Sequence, residues 1–144
     1  MSKFEFYYTQ IADLKKAYDQ TESETERERI RIAYRNVTNQ IKQEEKPFIR
    51  AFNYYEHAKE CGNEYLDVNG IVWDQDAAEL IQAMRTNGIK KFTFSSTYSG
   101  ATETAWLFQQ EGCSLEGLVE VNKPTKEFMS DEWDKAHALL FKMN

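Results

Sequence analysis

The spacing of apolar residues changes at Gly62, and that change divides the chain into two kinds of structure. Before it, Phe4, Tyr7, Ile11, Leu14 and Tyr18 recur at three- and four-residue steps, which places all five on one stripe of a helix. The polar stretch 19–24 breaks this pattern, and Thr21 with Glu24 has the spacing of a capping box that opens a second helix. Ile30, Tyr34, Val37, Ile41, Phe48, Phe52 and Tyr55 carry the helical spacing onward. Pro47 would cost a hydrogen bond and clash inside a helix, so the chain either kinks there or starts a third helix. A break at Glu45–Lys46 accounts best for it. Gly62 then supplies the left-handed residue that commonly ends a helix.

Beyond Gly62 the pattern turns mixed. Asn69-Gly70 between two short apolar runs predicts a tight β-hairpin over Tyr65–Trp73. Asp74 is placed to cap a helix carrying Ala77, Leu80, Ile81 and Met84, which ends at Asn87-Gly88. Phe92 and Phe94 alternate with Thr93 and Ser95 as in a strand, and Leu115–Val121 reads as another, ended by Pro124. Between them Ala101, Ala105, Trp106 and Phe108 predict a helix closing at Gly112. Asp131–Met143 predicts a terminal helix with Ser130 as its cap and Trp133, Ala136, Leu140 and Phe141 turned inward. The expected fold is α+β, with N-terminal antiparallel helices packed on a small strand–helix–strand part that ends in a helix. One domain over 1–144 is expected, helical over 1–62 and mixed over 63–144.

Charge and composition narrow the function classes. Twenty-four acids against eighteen lysines and arginines leave a net charge of −6, which disfavours attraction to phosphate backbones. No apolar run reaches the roughly 18 residues of a membrane span. Only Cys61 and Cys113 could form a disulfide, and no leader-like segment precedes the first helix, so the expectation is a cytoplasmic protein.

The hydroxyl-rich turn Ser95–Gly100 lies between a predicted strand and a predicted helix, where α/β proteins often hold anions. It carries no phosphate-loop or dinucleotide glycine pattern, and there is no Lys or Arg between Ser95 and Gln110. Helix capping by Ser99 or Gly100 accounts for the same residues. The ligand alternative would use Ser96, Thr97, Ser99 and Gly100. His57 and Cys61 share a helix face, but two such groups do not make a metal or nucleophilic site. Arg27, Arg31 and Arg35 could form a basic ridge for nucleic acid, although interleaved Glu24, Glu26 and Glu28 favour a solvated helix face. No catalytic set, cofactor motif or metal cluster emerges.

Aromatic residues are the more distinctive signal. Phe6, Tyr8 and Tyr54 lie off the main helical stripes, and such rings are favoured at protein interfaces. These three are the expected partner-binding residues, whether the partner is another protein or a second copy in a homodimer. The expected role is a non-enzymatic interaction or accessory protein.

The stretch FTFSSTYSGATETAWLFQQEGCSLEGLVEVN, within Trp73–Phe141, resembles small acidic proteins of unassigned function from phages and conjugative elements of Gram-positive bacteria. The resemblance implies a mobile-element setting, in which small proteins act by binding host factors such as defence nucleases. It carries no catalytic residues across.

Overall fold

A computed structural model describes residues 2–144. Three helices come first: α1 (Lys3–Gln20), α2 (Glu24–Lys42) and α3 (Lys46–Cys61). Ser2 and Ser23 cap the first two, their hydroxyls accepting from the backbone N–H of Glu5 and Glu26. The second cap therefore falls on Ser23, while Thr21 closes α1 and accepts from Ser23 N. The break before Pro47 is where the sequence places it, with Glu45 as N-cap and the proline in the first turn of α3. Gly62 ends α3 with φ +74°.

The remainder is built on a four-stranded sheet in the order β1-β2-β4-β3, with β1 (Leu66–Val68), β2 (Lys91–Phe94), β3 (Cys113–Asn122) and β4 (Lys135–Met143). β1 and β2 are parallel, joined through a 3₁₀ turn at Asp74–Asp76 and α4 (Ala77–Thr86). α5 (Ala101–Gln110) leads from β2 to β3, and β4 returns between β2 and β3, antiparallel to both.

Asp74 lies in the 3₁₀ turn and does not cap α4, whose N-cap is Asp76. Two expected elements also fail. The segment from Asp131 onward is not a terminal helix. Residues Lys135–Met143 form β4, whose buried residues are Ala138, Phe141 and Met143. Lysine, alanine and leucine suit a helix, but two neighbouring strands offer β4 hydrogen bonds along both sides, and tertiary pairing overrides the local preference. The expected hairpin at Asn69-Gly70 is also absent, because Val68 pairs in parallel with Phe94 and the chain then leaves the sheet towards α4.

The core joins the two parts. Phe92 and Phe94 project to one side of the sheet and meet Phe108 of α5, with ring centroids 5.3 and 5.2 Å away. Phe141 stacks beside Phe92 at 5.4 Å. Leu80, Ile81 and Met84 of α4 complete this layer. A second aromatic cluster ties α1 to α3: Phe4 lies 5.1 Å from Phe48, 5.9 Å from Phe52 and 5.4 Å from Tyr55. α3 in turn packs on α4 and β1.

Candidate interaction surface

The apolar stripes of α1 and α2 run further out than the rest of the chain can cover. At the base of this helical hairpin Phe4, Tyr7, Ile11, Val37 and Ile41 are buried. Towards the tip, Leu14, Tyr18 and Ile30 are only half-buried, and Tyr34 is 38% exposed. The reason is geometric. α2 packs extensively on α1 alone, so the distal half of the hairpin has no third element over its seam. What results is a groove of about 690 Å³ with Leu14, Tyr18, Ile30 and Tyr34 along it and Lys15 and Arg35 at its rim.

The arginines of α2 account for the electrostatics of the tip. The guanidinium of Arg27 lies 4.9 Å from the centre of the Tyr18 ring, and that of Arg31 lies 5.6 Å away. Arg27 Nε also donates to the carbonyl of Thr21, tying the inter-helix turn. Arg31 pairs with Glu24 at 2.9 Å and Glu28 at 3.1 Å, and these bonds hold its pKa above the ordinary value. Arg29 pairs with Glu26. Arg27 and Arg35 form no ion pair among the described residues. Of the basic ridge weighed as a nucleic-acid alternative, Arg31 is thus paired with acids of its own helix, while Arg27 is held by the Thr21 carbonyl and the Tyr18 ring.

The three aromatic residues singled out from the sequence have different fates. Phe6 is exposed, at 47%. Tyr8 is half-buried and packs edge-on to Tyr55 at 5.9 Å, a structural contact between α1 and α3. Tyr54 is buried and cannot meet a partner. Its hydroxyl lies so close to Gly70 that a Cβ there would come within 2.7 Å of it, and burial raises its pKa.

The hydroxyl-rich turn is spent on the fold. Ser96 Oγ donates to the Gly70 carbonyl at 2.6 Å, while Tyr98 Oη binds both backbone groups of Val72 and the buried hydroxyl of Thr104. Gly100 is the N-cap of α5, with no side chain bonding to the helix end, so Ser99 does not cap it. Thr97 and Ser99 are exposed. Of the candidate ligand residues only Ser96 turns inward, where it holds the segment after β1.

Further features were not legible in the sequence. Asp67 is buried on β1 and accepts from Thr93 Oγ1 at 2.7 Å and Ser95 Oγ at 2.6 Å. Desolvation raises its carboxyl pKa against the lowering effect of those two hydroxyls. Trp106, expected inward, is 58% exposed, because Thr104 and Phe108 take the inner face of α5. It lines a groove of about 460 Å³ together with Leu118 and Leu139. Phe128 and Met129, in the β3–β4 connection, are exposed at 94% and 89%. His57 is exposed and Cys61 buried, so that pair does not converge on a common site. No cluster of three metal-ligating side chains occurs among the described residues, and no helix there is long and apolar enough to cross a membrane.

Residues 50–143 match a family described as a domain of unknown function (DUF7698). Comparisons with curated proteins and with solved structures find no match. The matched stretch runs from α3 through β4, so α1 and α2 lie outside it.

Proposed function

We propose that this chain, which belongs to the DUF7698 family, is a protein-interaction protein whose N-terminal hairpin docks another polypeptide. The observation that carries this reading is the open seam of α1 and α2. A helix with an apolar stripe buries it against a neighbour, and two helices alone leave part of each stripe in water. Leu14, Ile30 and Tyr34 lie on the uncovered part. Their placement on a rigid pair of helices suits the helix-in-groove mode of recognition. Phe6, exposed on α1, adds a contact for the partner, whereas Tyr8 and Tyr54 support the fold.

Replacing Tyr34 by a photo-cross-linking phenylalanine analogue tests the reading in the cell of origin, with the same analogue at exposed Gln75 as control. The expected result is a covalent adduct to a polypeptide from position 34 and none from position 75. Absence of any adduct from position 34 would remove the basis for the proposal.

A second reading is favoured by the groove that Trp106 lines. Its apolar residues Leu118 and Leu139, with His137 and Thr97 beside them, suit a small, largely apolar ligand. A compound of that class should raise the melting temperature of the protein and lose its effect in Trp106→Ala.

A further inference from the structure

We propose that the free edge of β3 takes an extended segment of a different protein as a fifth strand, one with an apolar residue opposite Leu118 and a lysine or arginine opposite Glu120. This site lies apart from the hairpin and does not depend on it. β3 ends the sheet and pairs on one side only, with β4. The direction of its free main-chain groups follows from Asn122, whose N–H and C=O both bond to the side-chain amide of Asn63 and so point away from β4. Main-chain groups alternate in direction along a strand, and those of Glu120 and Leu118 therefore point outward as well. They bond nothing among the described residues.

This row dictates the chemistry of its occupant. Pairs of N–H and C=O groups repeating every second residue are matched by another extended main chain, and Asn63 already supplies one amide of that kind at Asn122. Leu118 is 65% exposed and pairs with Leu139, so an apolar residue of the incoming strand would cover it. Glu120 follows on the same side of the sheet. It forms no ion pair among the described residues, whereas Glu116 is held by Lys91 at 2.9 Å. The same acid decides between occupants. An antiparallel second copy of β3, with outward groups facing outward groups, would set Glu120 against Leu118, against its own equivalent or against Glu116. Like charges directly opposite are unfavourable, and so is a carboxylate against a leucine. The edge therefore refuses its own kind and favours a cationic strand.

Panning the full chain against a displayed library of random peptides about twelve residues long tests the proposal. Recovered peptides should place apolar residues at alternate positions and carry a lysine or arginine two positions from one of them. Binding should slow amide exchange at Leu118 and Glu120, read by nuclear magnetic resonance, about tenfold or more. Leu118→Pro removes one outward N–H at a place where an edge strand tolerates proline, and should weaken binding about tenfold, more than Leu118→Ala, which keeps that donor. N-methylation of alternate residues in a recovered peptide breaks the same bonds from the other side, so the test does not rest on the proline variant folding. Glu120→Lys should recover acidic in place of basic residues. The proposal falls if no peptide is recovered, or if Leu118→Pro and the N-methylated peptide bind as their parents do. Protection on α1 and α2 instead would also overturn it and leave the hairpin as the docking site. So would protection of the two amides that grows as the free chain is concentrated, since a second copy would then hold the edge. A hairpin that yields no cross-link from position 34 alters none of these outcomes, so either reading can fail alone.

Discussion

Truncating Phe4 should release the hairpin from the rest of the chain without dissolving the sheet. The ring is wholly buried and touches three rings of α3, so it pins α1 to the part of the molecule that carries the strands. Removing a buried phenylalanine side chain costs about 3–5 kcal/mol. If that loss falls on the opening of α1 and α2 alone, their amides should exchange about a hundredfold to a few thousandfold faster, since each 1.4 kcal/mol is a factor of ten. Hydrogen exchange read by mass spectrometry separates the peptides of 3–42 from those of β2 and β4. Phe6→Ala makes the same deletion two residues away at an exposed position and should change stability by less than about 0.5 kcal/mol. Equal acceleration in β2 and β4 of Phe4→Ala would refute the argument, since hairpin and sheet would then unfold as one unit.

Other consequences can be checked independently. Asp67 has a carboxyl pKa raised above its ordinary 3.8 by burial, so its ionisation opposes folding. Its contribution is most favourable at low pH and declines as pH rises through the folded-state pKa. Denaturation of Asp67→Asn and wild type between about pH 4 and 8 should show the variant gaining on the wild type as pH increases; parallel curves would contradict this. Cys113 is buried and its thiol is pushed up to about 11 from an ordinary 9.0. Alkylation of native protein at mildly alkaline pH should therefore be at least about a hundredfold slower than in denaturant, and rapid native labelling of Cys113 would count against its placement. Phe128 stands almost fully in solvent within the β3–β4 connection. Limited chymotrypsin digestion should cut there first, leaving fragments on either side of residue 128; earlier cleavage within α2 would point to a hairpin less ordered than described.

What could be read from residue order was set by local physics. Stripes long enough to outvote any single residue mark α1 and α3, and Pro47 and Gly62 punctuate them in ways few conformations permit. β4 was misread because Trp133, Ala136 and Leu140 happen to fall at helical spacing, while the partners that make it a strand lie in β2 and β3. Tyr54 illustrates the same limit for surfaces. Its position off the main stripe suggested exposure, but the returning chain at Gly70 covers it. The hydroxyls of Ser96 and Tyr98 bond to carbonyls 26 residues earlier, a separation that no local pattern conveys. The hairpin groove was partly legible, since Tyr34 and Ile30 belong to a visible stripe; what the stripe could not reveal is where α3 stops covering it.

One small contact at the end of β3 bears on how these molecules behave in a crowd. Asn63 Oδ1 accepts from the backbone N–H of Asn122 at 2.9 Å, its Nδ2 donates to the Asn122 carbonyl at 2.8 Å, and Asn122 Nδ2 returns to the Cys61 carbonyl. A single amide side chain thereby imitates one peptide unit of an additional strand and fills the place such a strand would take. At that end of the outermost ribbon, stacking into fibres meets a plug supplied by the protein itself.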